Sequence, residues 1–164
     1  MNKIIVIGSP GSGKSTFSKK LKEILNIPLY HLDKIWHKED KTTISKEEFD
    51  NKLNEIFKED KWIIDGNYNR TLEVRIKEAE VIYLLDIDVL ECLDNAENRV
   101  GKFRTDMPWK EEELNEEFKR FIIDFPLTSL PRIYELLDKY KDNKKIIILK
   151  SRKEIDDYIR SLKC

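Results

Sequence analysis

The segment KIIVIGSPGSGKST at residues 3–16 constrains the fold more than any other part of the chain. Residues 3–7 are mostly β-branched and apolar and stop abruptly at Gly8, which reads as a short strand buried on both faces. A helix then begins at Gly13 or Lys14, with Phe17, Leu21, Ile24 and Leu25 on one face. Between strand and helix, Gly8, Gly13, Lys14 and Ser15 satisfy the pattern GxxxxGK[ST]. A loop of this kind wraps its backbone N–H groups around phosphate oxygens, and side chains at its bends would obstruct that, hence the glycines. The spacing lets Lys14 reach the β- and γ-phosphates and the Ser15 hydroxyl ligate Mg²⁺, while the helix N-terminus adds partial positive charge. Chance alone produces the four fixed positions in roughly 1% of chains this long, and here the strand before and the helix after supply the context the motif requires. The stretch Gly8, Ser9, Pro10, Gly11, Ser12, Gly13, Lys14, Ser15 and Thr16 is therefore expected to bind a nucleoside triphosphate with Mg²⁺.

The rest of the chain alternates strands and helices. PLYHL (28–32), KWIID (61–65), VIYLL (81–85) and KIIIL (145–149) read as further strands. Asn26 and Pro28 end the first helix. Ser45 with Glu48 forms a capping box ahead of the stripe Phe49, Leu53, Ile56 and Phe57, and Ser151 with Glu154 does the same for a last helix bearing Ile155, Ile159 and Leu162. Further helices are expected around 70–79, on Val89, Leu93, Ala96 and Val100, on Leu114, Phe118, Phe121 and Ile122, and on Ile133, Leu136, Leu137 and Tyr140. GKFRTDMPWK (101–110) breaks the periodicity and is basic, so it reads as a mobile loop. The alternation implies one α/β domain over 1–164, a mostly parallel sheet covered on both faces.

Composition narrows the function classes. With 31 Lys and Arg against 32 Asp and Glu, the net charge of −1 gives no basic footprint, so direct nucleic-acid binding is not expected. The apolar run at the N-terminus is too short for a signal peptide, and no later run is long enough to span a membrane. Cys92 and Cys164 lack metal-ligand or CxxC spacing and suggest free thiols in a reducing cytosol, hence a cytoplasmic protein.

Other P-loop classes fit poorly. A GTPase needs DxxG and NKxD, and neither is present; Asn51-Lys52 and Asn143-Lys144 lack the closing aspartate. A motor-type ATPase usually places a glutamate after the strand-end aspartate to activate water, but Asp65 is followed by Gly66 and Asp86 by Ile87. A small kinase remains. Asp65 at a strand end can hold Mg²⁺, or be a turn aspartate in Asp-Gly. Asp33 can face an acceptor hydroxyl or the metal, or cap a helix. Arg70 and Arg75 can grip an acceptor phosphate, or lie on a solvated helix face. Arg99, Lys102 and Arg104 suit a closing lid over the γ-phosphate. His31 and His37 read as structural or surface residues. Trp36, Trp62 and Trp109 read as packing residues, with Trp36 and Trp109 also placed to stack on a base.

These segments together resemble the adenylate kinase-like branch of P-loop kinases and, within it, the DNA topology modulation proteins, a nucleotide-kinase-like family. The likeness runs nearly end to end through GSPGSGKST, HLDKIW, WIIDGNYNRTLEVR, YLLDIDVLECL, RTDM and LKSRKE; HLD…W followed by WIIDGNY is its specific part. The resemblance implies a P-loop NTPase three-layer sandwich with a five-stranded parallel core in order 2-3-1-4-5. It also implies an acceptor-binding insert over about 33–60 and a short lid over about 99–112. Adenylate kinases carry DG[FY]PR where this chain has Asp65-Gly66-Asn67-Tyr68-Asn69-Arg70, so Asp65 takes the metal-associated position and the Pro-Arg ending is replaced. By the same analogy Ser151 and Arg152 border the adenine.

The resulting expectation is an ATP-dependent phosphotransferase using Mg-ATP on a small acceptor, a nucleoside or nucleotide. Lys14, Asp33, Asp65, Arg99 and Arg104 would carry catalysis, Ser15 and Asp65 would hold metal, and Asp33, Trp36, Arg70 and Arg75 would meet the acceptor. The alternative is a nucleotide-dependent regulatory binding protein with weak ATPase activity.

Overall fold

A computed structural model describes residues 1–100 and 115–163. The expected lid from residue 101 onward, with Arg104 and Trp109, lies outside the described residues, as does Cys164. Five strands, β1 (Lys3–Gly8), β2 (Leu29–His31), β3 (Trp62–Asp65), β4 (Val81–Leu85) and β5 (Lys145–Leu149), form one sheet in the order β2-β3-β1-β4-β5. Every pairing is parallel. The crossovers carry α1 (Lys14–Leu25), α2 (Leu32–Trp36), α3 (Lys46–Phe57), α4 (Asn69–Glu78), α5 (Val89–Asn98), α6 (Glu116–Thr128) and α7 (Leu130–Tyr140), and α8 (Arg152–Lys163) closes the chain.

The near-continuous apolar strands are explained by a core on each face of the sheet. Along β1, Ile5 and Ile7 face one core while Ile4 and Val6 face the other, as a period of two requires. The first core gathers Phe49 and Leu53 of α3, Leu72 and Ile76 of α4, and Leu136 of α7. The second gathers Phe17 and Leu21 of α1, Cys92 and Ala96 of α5, and Ile155 and Ile159 of α8. Phe17, Leu21, Phe49, Leu53, Ala96, Leu136, Ile155 and Ile159 lie on expected stripes, whereas Leu72, Ile76 and Cys92 are not among them and the expected Phe121 is exposed.

The expected helix signals are in place. Asn26 ends α1 in the left-handed conformation (φ 55°), its N–H donating to Lys22 O. The Glu48 N–H donates to Ser45 Oγ at 3.1 Å, and the Glu154 N–H donates to Ser151 Oγ at the same distance. One element was not anticipated. The strand expected over 28–32 stops at His31, and the chain turns at once into the short α2. Leu32 there is fully buried, and a Cβ on Gly66 would lie only 2.8 Å from its own. Leu32 thus folds in beneath the turn after β3 instead of continuing the ladder.

Candidate phosphate and acceptor site

In a parallel sheet all carboxyl ends of the strands share one edge, and ligands bind there. At this edge the loop after β3 meets both the loop after β1 and α2.

The β1–α1 loop is a socket. Gly11 (φ 81°) and Gly13 (φ 94°) take conformations that a side chain strains. A Cβ on Gly11 would also lie 2.1 Å from the carbonyl oxygen of Cys92, so the loop is seated directly on α5. Asn95 of α5 completes that seat by donating from Nδ2 to Gly11 O at 2.9 Å. Gly13 starts α1 with no side-chain cap and no acidic residue in the first turn, which leaves the positive end of the helix open to an anion. Lys14 Nζ lies 3.4 Å from Ser9 O, across the loop. Ser12 Oγ and Ser15 Oγ are buried with no hydrogen-bond partner among the described residues. Thr16 follows on α1. Arg152, exposed at the start of α8, brings Nη1 within 3.5 Å of where a Cβ on Gly13 would sit; Ser151 beside it caps α8.

The loop after β3 is a clasp. The β2–β3 register sets His31 opposite Asp65, and His31 Nδ1 lies 2.9 Å from Asp65 Oδ2, both side chains about nine-tenths buried. Asn67 Oδ1 accepts from the Gly8 N–H at 3.2 Å, so the clasp touches the socket directly. Tyr68, at the unusual φ of 20°, donates its hydroxyl to Asp33 Oδ1 at 2.6 Å. Burial and the Asp33 carboxylate both push the Tyr68 phenol far up, so it stays a donor.

Arg75 holds the clasp together, and here the expectation of an acceptor-gripping arginine is corrected. Its side chain is fully buried; Nη1 donates to Gly66 O at 3.1 Å, Nη2 to Asn67 O at 2.6 Å and to Tyr68 O at 2.9 Å, and Nε to Thr71 Oγ1 at 3.2 Å. Burial pushes its pKa down, while Tyr68 and Asp65 push it back up. The sequence did carry a signal: Leu72, Arg75 and Ile76 lie on the buried face of α4. Arg70 lies instead on the outer face, in a two-pronged pair with Asp50 of α3 at 2.8 and 3.1 Å, both side chains nearly half exposed.

Other expected residues are also engaged within the fold. Trp36 packs edge-on to Phe49, with ring centroids 5.5 Å apart, and against Tyr68 at 6.2 Å, so its ring belongs to an aromatic cluster over α3. Asp33 lies inside α2 and does not cap it; the cap position is His31. Arg99, at the end of α5, holds its guanidinium over the Phe118 ring of α6. Asn67, Tyr68, His31 and Asn95 were not anticipated as site residues. Only the two families of contact at the edge, strand register and loop docking, reveal them.

The residues fit a magnesium–triphosphate group. A buried, unpartnered Ser15 hydroxyl is a ligand-ready oxygen, and Asp65 is a carboxylate at the same edge. Among the described residues no cluster of three or more His, Cys, Asp or Glu could hold a metal unaided, as suits an ion that keeps waters and binds largely through phosphates.

Comparisons with known proteins follow the same geometry. A family profile described as "Chromatin associated protein KTI12" matches residues 1–75. No curated protein matches the chain. Among solved structures, a gluconokinase from Sinorhizobium meliloti 1021 superposes at TM-score 0.58 with 11% identity, covering 98% of this chain and 89% of that one. Shikimate kinase from Acinetobacter baumannii in complex with shikimate gives 0.57 with 15% identity, covering 99% and 90%. Shikimate kinase from Bacteroides thetaiotaomicron gives 0.53 with 19% identity, covering 97% and 94%. At such identities the likeness is one of fold. With an all-parallel sheet in order 2-3-1-4-5 flanked by helices, the chain has the α/β fold of P-loop NTPases, in the form seen in small kinases.

Proposed function

We propose that the protein is an ATP-dependent phosphotransferase that moves the γ-phosphoryl group of Mg-ATP to a hydroxyl of a small acceptor. The observation that carries this reading is the joining of two sites by one contact, Gly8 N–H to Asn67 Oδ1, which sets a phosphate socket beside a half-buried carboxylate, Asp33. Residues 33–60 would form the acceptor side of a single domain, and the nucleotide would lie over Gly8–Thr16 with Arg152 at its flank.

The chain's own contributions follow from geometry. Backbone N–H groups and the α1 N-terminus bind the β- and γ-phosphates, with Lys14 placed to meet the charge that builds on the transferred group. Ser15 and Asp65 would hold Mg²⁺, which when bound neutralises phosphate charge. His31 fixes one oxygen of Asp65 and so orients it. Asp33 accepts the proton of the attacking hydroxyl, while Tyr68 keeps the carboxylate aimed. Incubation with γ-labelled ATP and an acceptor panel, measuring labelled product and free phosphate separately, tests the proposal. Labelled acceptor is the expected result; free phosphate alone would count against it.

That second result would favour a nucleotide-dependent regulatory protein with weak ATPase activity. The match of residues 1–75 to a chromatin-associated family supports this alternative, and it makes duplex DNA a partner worth testing. The balanced charge argues for no specific duplex binding at about 150 mM salt. Fluorescence anisotropy with labelled duplex at two salt concentrations decides between them. The finer relation to DNA topology modulation proteins is part of the same proposal and rests on the sequence segments alone.

No described helix is long and apolar enough to cross a membrane.

A further inference from the structure

Among the described residues, the two arginines that the sequence offered for an acceptor phosphate, Arg70 and Arg75, are committed to the fold. Arg75 is sealed beneath the loop, its donors turned to the carbonyls of Gly66, Asn67 and Tyr68 and to Thr71. Arg70 faces outward and is paired two-pronged with Asp50. What the acceptor side presents at the carboxyl edge of β2 and β3 is instead Asp33 with the Tyr68 hydroxyl, and behind them the His31–Asp65 pair. Lys34, the cation of α2, is exposed to solvent. A phosphate dianion brought beside the Asp33 carboxylate meets like charge, and like charges in a partly desolvated cleft exclude a ligand strongly. A neutral hydroxyl meets a carboxylate acceptor already oriented by a half-buried phenol.

We infer that the acceptor is an uncharged, hydroxyl-bearing molecule without a phosphate: a nucleoside or sugar alcohol, not a nucleotide or sugar phosphate. This rests on the phosphotransferase reading above and narrows it. The step balances simply. The acceptor oxygen forms a bond to Pγ, and the bond from Pγ to the β,γ-bridging oxygen breaks. The nucleoside diphosphate leaves with that oxygen, and the hydroxyl proton passes to Asp33 and then to solvent. Asp33 serves twice, as proton acceptor and as the charge that rejects an anionic competitor.

The test uses matched pairs that differ by one phosphate: adenosine, cytidine, uridine and thymidine against their 5′-monophosphates, and glucitol and ribitol against their phosphates. The full-length protein is incubated with Mg-ATP, and phosphorylated product is measured by mass spectrometry, with Mg-ATP binding followed by calorimetry. The expected result is turnover of at least one uncharged member, with kcat/KM at least tenfold above its phosphorylated partner. Asp33→Asn should lower that turnover and, by removing a negative charge, shrink the tenfold discrimination. The Arg70–Asp50 pair is exposed, and such pairs open at little cost. If Arg70 swings away to grip an acceptor phosphate, the phosphorylated members are turned over and lose at least tenfold in kcat/KM in Arg70→Ala; that overturns the inference. So does turnover of neither class by a protein that still binds Mg-ATP, which leaves the nucleotide site standing. Failure to bind Mg-ATP at all overturns both the inference and the kinase reading.

Discussion

The loops after β1 and β3 lie side by side, yet they treat their polar atoms in opposite ways. In the first, Ser12 Oγ and Ser15 Oγ are buried and unpartnered, and α1 starts uncapped. In the second, one arginine takes three successive carbonyls, and the side chains of Asp65, Asn67 and Tyr68 each have a partner. A buried polar group left unsatisfied costs about 1–3 kcal/mol, so a fold keeps several together only where something else will satisfy them. The first loop leaves polar atoms open, as the proposed phosphate site requires. The second satisfies its own, and Asn67 ties it to the first.

Removing the cation of the socket should have the largest effect. Lys14→Ala is expected to lower phosphoryl transfer by about 10²–10³-fold with an unchanged circular dichroism spectrum. Turnover near the wild-type rate would mean that the socket is not where phosphate is handled. The clasp should respond in the other currency. Arg75→Met strands three carbonyls and should destabilise the fold by about 3 kcal/mol or more, read as a shift of the urea midpoint. Arg75→Lys should recover part of this. A midpoint unmoved by Arg75→Met would mean that the clasp is not structural.

A smaller change separates the two loops most sharply. Ser15→Ala removes an unpartnered buried hydroxyl, so the ligand-free protein should keep or gain stability, within about 1 kcal/mol. The rise in melting temperature on adding Mg-ATP should shrink in the same variant. If the ligand-free protein instead loses stability and the Mg-ATP shift is intact, Ser15 belongs to the scaffold. The smallest effect is expected far from both loops, where Glu73 of α4 accepts from Lys139 Nζ at 2.7 Å and Tyr140 Oη at 2.8 Å of α7. These bonds hold the Glu73 carboxyl below its ordinary 4.5, at about 2. A lowered folded-state pKa stabilises above the unfolded value and is lost as pH falls through the folded one. Wild type should therefore exceed Glu73→Gln slightly in urea midpoint at pH 6, and the difference should vanish between about pH 4.5 and pH 2. A constant difference across that range would assign the effect to packing.

Most of the scaffold was legible because its signals are local. The apolar runs of β1, β3, β4 and β5, the caps at Ser45 and Ser151, and the glycine spacing of the first loop each depend on neighbours a few residues away. Arg70 and Arg75 show where that reading stops. They lie on one helix, and residue type alone made them equivalent. The stripe Leu72–Arg75–Ile76 hinted that Arg75 faces inward, but an inward arginine has meaning only once its acceptors are known. Asp33 and Trp36 were placed after the second strand, but the short helix α2 that carries them was not anticipated, so the contacts of Asp33 with Tyr68 and of Trp36 with Phe49 could not be read.

By itself the sequence determined the GxxxxGK[ST] loop between strand and helix, the strand–helix alternation and the near-balanced charge, all of which follow from residue type and short spacing. Only the tertiary structure decided that His31 faces Asp65, that Asn67 reaches Gly8, that Tyr68 reaches Asp33 and that Arg75 is spent inside. Those contacts join residues 34, 59, 35 and up to 9 positions apart. Their partners are chosen by parallel strand register and by how loops dock at one sheet edge. Both are set by the packing of the whole domain, and no local pattern encodes them.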